Sequence, residues 1–213
     1  MTGMAFRPHP AKSMTLVQTP RAELCLEFAN TLCWRGSTPA SEALHSLNDL
    51  LAWCATAGVQ YGPAIERFGR WWRAHPRLAA PAFAEAIELR EAIYRLFRAA
   101  ARSGGAEPGD LERLDCALAA APSRVRLQRR GDGYAWQIQP PPPSVAGLLA
   151  PILWSAGDLL TGPQLRRVRQ CANDKCLWLF LDLSNTGNRR WCSMMMCGNR
   201  AKAHRHYLKN KQD

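Results

Sequence analysis

Residues 171–176 read CANDKC and residues 189–200 read RRWCSMMMCGNR, and these two stretches decide how the end of the chain folds. Each carries a cysteine pair with four intervening residues, Cys171 with Cys176 and Cys192 with Cys197, and fifteen residues separate the pairs. Zinc favours four soft ligands in a tetrahedron, and structural sites fill every position with protein atoms. Two close pairs joined by a short hairpin meet that need, so one zinc per chain is expected on these four sulfurs. The gaps are wider than the commonest two-residue knuckles. An iron–sulfur cluster also accepts four thiolates and stays open at this point, as does chance clustering of buried thiols. Trp178, Phe180 and Leu183 are the expected small core, with Ser184-Asn185-Thr186-Gly187-Asn188 as the turn.

Ser193 is a suitable N-cap for a helix running to about Asn210, which would place Cys192 and Cys197 at its start, where the helix dipole favours thiolates. Met194, Cys197, Ala201, His204 and Leu208 recur at three- and four-residue steps and form the expected inward stripe. Gly198 is awkward inside such a helix, which predicts a later start or a close packing contact. His204 is expected as a packing or boundary residue. Lys202, Arg205, His206 and Lys209 share the neighbouring face. Arg189, Arg190 and Arg200 lie near the metal end. Four thiolates around a divalent ion carry about −2, so some of these arginines balance the site, and the remainder are expected to contact nucleic acid.

The charge of the whole chain agrees. Of its net +11, residues 163–213 hold eleven Lys or Arg against three Asp or Glu, a net of +8, whereas the first 162 residues hold seventeen against fourteen. Such asymmetry suggests a polyanionic partner for a basic module on a nearly neutral body, beside the plainer reading that basic excess aids solubility. At 213 residues, 47% hydrophobic and 21% charged, the chain has an ordinary globular composition. No stretch reaches the roughly 18 apolar residues of a membrane helix, and MTGMAFRPHPAKSMTLVQTP has no secretory hydrophobic run. A cytoplasmic, nucleoid-associated protein without a membrane partner is expected, with its eight cysteines as thiols or metal ligands.

Upstream of the basic module the patterning is α+β. Residues 1–19 are expected to be a flexible arm and residues 20–162 a mainly helical regulatory body. Ser46 and Asp49 resemble a capping box, followed by Leu47, Leu50, Leu51 and Cys54 at helical spacing and Gly58 as a stop. Pro63 opens a short helix with Ile65, Phe68 and Trp72 on one face. Ala82 to Arg102 is the longest predicted helix, with Phe83, Ile87, Tyr94 and Phe97 in a stripe. Pro108 opens another, bearing Leu111, Leu114 and Leu118. The period then becomes two: Val125 and Leu127, a turn at Arg130-Gly131-Asp132-Gly133, and Tyr134, Trp136 and Ile138 predict a β-hairpin. Pro140 to Pro143 form a stiff spacer, Ser144 caps a last apolar helix, and Thr161-Gly162-Pro163 marks the boundary to the module at 163–213. Cys25, Cys33, Cys54 and Cys116 are expected to be buried, inert thiols. Asn30 and Trp34, one helical turn apart, are either packing groups or the lining of a ligand pocket.

The string Arg189-Arg190-Trp191-Cys192-Ser193-Met194 with Cys197-Gly198-Asn199-Arg200 and Lys202 resembles the CGNR zinc finger family over roughly residues 167–210. Leu24-Cys25-Leu26-Glu27-Phe28-Ala29-Asn30-Thr31 resembles the opening motif of the ABATE domain, a stress-response transcription regulator module of bacteria that commonly precedes this finger. An Asp usually stands where this chain has Glu27. The resemblance implies a helical α+β N-terminal domain, a small treble-clef-like finger with zinc on Cys171, Cys176, Cys192 and Cys197, and a DNA-binding regulatory role. The body would then receive a signal, from a small-molecule effector or by homodimerisation. Rival readings are an RNA- or single-strand-binding zinc protein and a protein-interaction adaptor. An enzyme is not expected. A four-cysteine zinc keeps no open coordination position, and the sequence has no G-x-S-x-G, H-E-x-x-H or phosphate-binding glycine loop.

Overall fold

A computed structural model describes residues 15–17, 19–60, 62–124, 126–139 and 143–211. It is α+β, as the patterning predicts, with small antiparallel strand pairs around a helical core. Three helices make the centre. Leu24–Ala29 (α1) buries Leu24, Cys25, Leu26, Phe28 and Ala29, so nearly its whole circumference is core. It lies against Pro76–Ala101 (α4) and Ala150–Thr161 (α7). Only Glu27 breaks this apolar run, and so short a helix has no helical stripe to read when nearly every side of it is covered. Ser155 of α7 fixes it by accepting from the Cys25 amide at 3.1 Å and donating to Ala22 C=O at 3.1 Å.

The remaining helices follow their sequence signals with local adjustments. Leu47–Thr56 (α2) starts where Ser46 Oγ accepts from the Asp49 amide and Asp49 accepts from the His45 amide, and it stops before Gly58 at φ 69°. Gly62–Ala74 (α3) buries Phe68 and Trp72, as expected from the proline start. The long helix α4 begins six residues earlier than the stripe implied. Pro76 occupies its first turn and Pro81 is absorbed inside it. Pro108–Ala120 (α5) buries Leu114 but leaves Leu111 and Cys116 exposed, so Cys116 is not the buried thiol expected. Cys25 and Cys54 are fully buried, and burial pushes the Cys25 thiol up to about 12 and Cys54 still higher. The apolar helix capped by Ser144 divides into Val145–Leu148 (α6) and α7, with Pro151 in the first turn of α7.

The predicted hairpin is Arg126–Arg130 (β4) with Gly133–Ile138 (β5), paired from Arg126↔Gln137 to Arg130↔Gly133. Thr15–Val17 (β1) adds to the other edge of β5, so the last part of the expected arm is a strand and Val17 is core. A two-residue pair, Leu32–Cys33 (β2) with Ser41–Glu42 (β3), follows α1. Asn30 ends α1 and Trp34 lies beyond β2 at φ 53°, so the two do not share a helix. Residues 1–14, Val125 and Pro140 to Pro142 lie outside the described residues. No helix among the described residues is long and apolar enough to cross a membrane.

A buried charge network joins β3, α4 and the segment after β2. Arg90 is 2% exposed and donates to both Glu42 oxygens at 2.7 and 2.8 Å, to Thr31 at 3.2 Å and to Glu91 at 2.9 Å. Glu91 also accepts twice from Arg35, which lies 3.7 Å from the Tyr94 ring centroid. Burial tends to raise Glu42, but the Arg90 hydrogen bonds and charge together with the Leu44 and Ala43 amides outweigh it, so this carboxyl titrates below its ordinary range. That contribution to stability is complete above the unfolded carboxylate value of about 4.3 and is lost as pH falls through the folded value. Arg90→Met strands the Glu42 carboxylate, while Glu91 keeps its pair with Arg35, and urea unfolding should show a loss of about 3 kcal/mol. Adding Glu42→Gln should recover part of it.

Candidate metal centre and basic face

After a 3-10 turn at Pro163–Arg167, the strands Val168–Gln170 (β6) and Leu179–Leu181 (β7) pair antiparallel, Val168↔Leu181 to Gln170↔Leu179. Their connection carries the first cysteine pair. Asn173 shapes it: its carbonyl accepts from the Cys176 and Leu177 amides at 2.9 and 3.1 Å, and its side chain accepts from the Lys175 amide at 3.1 Å. Leu177 is left-handed at φ 57°, a conformation that only a well-braced turn imposes on a branched side chain. The backbone amides of Asn173 and Cys192 face Cys171, and that of Trp178 faces Cys176.

The second pair comes from the chain beyond β7. Asp182 is fully buried there and organises the return loop, accepting from Ser184 at 2.6 and 3.0 Å and from the Arg189 amide at 2.8 Å. Hydrogen bonding to Ser184 holds its carboxyl below the usual range. Ser193 caps a π turn at Met194–Gly198, which runs into the helix Asn199–Asn210 (α8). The helix therefore starts at the predicted cap, with one wide turn first. Gly198 lies under Met194: a Cβ there would stand 2.7 Å from Met194 Sδ, the end of a flexible side chain. Met194 is 52% exposed, against its expected place on the inward stripe, because its side chain folds over Gly198 at the surface.

The four sulfurs of Cys171, Cys176, Cys192 and Cys197 lie within 4.8 Å of one another, with Cys176–Cys192 at 3.7 Å and Cys192–Cys197 at 3.8 Å. A zinc–sulfur bond of about 2.3 Å gives a tetrahedron with an edge of about 3.8 Å, whereas a disulfide requires about 2.05 Å. The donor set therefore fits one zinc ion. Hydrogen bonds from Cys176 and Cys192 hold the Cys171 thiol far below its ordinary value, and Cys171 in turn pushes both partners up. Only a cation makes all four thiolates favourable together. Asn173 Nδ2 approaches Cys197 Sγ at 3.5 Å, an outer contact that the cysteine spacing did not signal.

A model of the ABATE family, described as a putative stress-induced transcription regulator, matches residues 22–163, well over half of the chain. The chain belongs to the ABATE family. Residues 167–210 match the CGNR zinc finger. No curated protein matches the chain significantly.

The basic residues divide by what they touch. Arg189 lies 5.0 Å from the Phe180 ring and donates to Cys192 C=O at 2.9 Å, Arg190 lies 5.4 Å from Trp191, and Arg200 lies 4.5 Å from Trp34. All three are exposed, as is Lys202 on α8. Arg205, His206 and Lys209 continue along the α8 backbone, and their side chains lie outside the described residues.

The finger and the ABATE domain share one core: Val168, Leu179 and Leu181 are buried with α1, α4 and α7. Asn30 makes the central contact. Its side chain donates to Leu179 C=O at 2.7 Å and accepts from the Leu179 amide at 3.0 Å, as a partner strand would. Tyr94 of α4 donates to Leu177 C=O at 3.0 Å and accepts from Gln170 at 2.9 Å. Gly36 abuts the knuckle so closely that a Cβ would fall 1.8 Å from Asp174 O. Trp34 packs on the cysteine cluster beneath Arg200. Asn30 and Trp34 are thus docking residues. A cavity of about 240 Å³ beside Asn30, Trp178 and Arg189 lies along the same seam. Tyr94, Gly36, Asn173 and Asp182 were not singled out for these roles in the sequence; only the Asp182-x-Ser184 pair carries a local turn signal.

Elemental analysis should give one zinc per chain, lost on acidification as the thiolates protonate; a visible iron band would contradict the assignment. Asn30→Ala strands both backbone groups of buried Leu179, at about 1–3 kcal/mol per group. Gly36→Ala cannot fit without moving the knuckle. Both variants should keep one zinc per chain, melt lower and release zinc to a chelator faster than the parent.

Proposed function

We propose that this protein binds duplex DNA through its CGNR finger and acts as a transcription regulator, with the ABATE domain fixing how the finger is presented. The observation that carries the reading is the concentration of charge: residues 163–213 are net +8 while the remainder is nearly neutral. Exposed Arg189, Arg190, Arg200 and Lys202 are held around a rigid zinc site, which suits neutralisation of phosphates. Subtracting about two charges for the zinc–thiolate centre still leaves a strongly cationic module. Duplex is favoured over single strands because Phe180, Trp191 and Trp34 each already carry an arginine and are partly or fully buried. Single-strand binding usually depends on free rings for base stacking.

No catalytic role is proposed, since four thiolates saturate the zinc. A nucleoid-associated, cytoplasmic location belongs to the same reading. A signal received by the ABATE domain, through a small ligand or self-association, would act through the Asn30, Gly36 and Tyr94 contacts. The contact itself provides this path, whereas Pro140 to Pro142 of the expected spacer lie outside the described residues.

If about five phosphates are neutralised, log affinity should fall against log salt with a slope of about −4.5. The double variant Arg190→Glu, Lys202→Glu should weaken binding across all duplex sequences and flatten the slope by about two. Unchanged affinity and slope would remove these residues from the interface.

A further inference from the structure

Three consecutive methionines stand at the surface between two zinc ligands. Met195 is 85% exposed, more than any other large hydrophobic side chain among the described residues, and Met194 and Met196 are 52% and 54% exposed. We propose that Met194–Met196 form an apolar wedge that enters the base stack of duplex DNA held by the finger. The inference rests on the DNA-binding reading and names a second, non-electrostatic mode of contact within it.

The base of the wedge is rigid. Cys192 and Cys197 anchor its two ends on the zinc, the Cys197 and Gly198 amides both donate to Ser193 C=O at 3.0 Å, and Ser193 Oγ accepts from the Met196 amide at 3.3 Å. Met194 lies back over Gly198, which leaves Met195 as the most exposed of the three. Separating base pairs costs stacking energy, so a wedge acts only from a platform that does not yield. Methionine suits the tip because its polarizable thioether adapts to an irregular gap.

The surroundings select the partner. Arg189 and Arg190 precede the turn, Arg200 and Lys202 follow it, and the sequence has no Asp or Glu from residue 183 to residue 212. A second copy docking here would bring two cationic modules face to face. Duplex DNA instead offers phosphates to the arginines and an apolar stack to the methionines, the combination that wedge-bearing proteins use.

The test uses the intact zinc-loaded chain on two duplexes of mixed sequence, one perfectly paired and one with a central mismatch that is already partly unstacked. The parent should prefer the mismatched duplex by roughly tenfold, since less stacking remains to be broken. Met195→Ala with Met196→Ala should abolish that preference while leaving zinc content and salt slope unchanged. Equal duplex affinities for the parent, or a preference that survives the double variant, overturn the wedge while leaving the electrostatic reading standing. Failure of the parent to bind either duplex overturns both. Loss of binding to vesicles containing phosphatidylserine, with DNA preference intact, would assign the methionines to an anionic lipid surface and overturn the proposal.

Discussion

Four sulfurs within 4.8 Å of one another can all be thiolates only around a cation. That constraint sets the form of the last quarter of the chain. It fixes the Asn173 knuckle, the left-handed Leu177, and the wide turn from which α8 leaves. It also places positive charge where it is useful twice. Arginines stacked on Phe180, Trp191 and Trp34 offset the thiolates on their inner side and remain exposed on their outer side.

The metal site is not a bead on a string. Its knuckle and the start of β7 supply the two backbone carbonyls, of Leu177 and Leu179, that the ABATE domain binds through Tyr94 and Asn30. Behind these residues stands the Arg90–Glu42 and Arg35–Glu91 network, in which both guanidinium groups are buried and the two carboxylates are partly exposed. Trp34 and Leu177, two non-glycine residues with positive φ, lie on opposite sides of this seam. Local strain of this kind persists only where surrounding contacts over-determine it. Zinc coordination and domain docking therefore support the same few residues, and loss of either weakens the other.

Much of this was legible in the sequence because it depends on local spacing. The cysteine pairs gave the metal ligands, Ser46 and Ser193 gave helix starts, and the alternation around Arg130-Gly131-Asp132-Gly133 gave the hairpin. What was not legible depends on long-range partners. Nothing near Asn30 indicates that it pairs with a strand 149 positions away, and the glycine at 36 has meaning only once Asp174 stands against it. β1 was hidden because three residues are too few for a period and their partner, β5, lies far downstream. The division of the last apolar helix follows from Pro151, which sits in the first turn of α7, where its missing N–H leaves no helical bond unmade.

The central claim is that zinc site and ABATE domain form one cooperative structure joined at Leu177 and Leu179. Amide hydrogen exchange of the intact chain, before and after zinc removal by a chelator, tests it most directly. Loss of protection in residues 168–211 together with the end of α1 and the Tyr94 turn of α4 is the result expected. Loss confined to residues 171–211, with α1 and α4 as protected as before, would contradict the claim and make the finger an independent appendage.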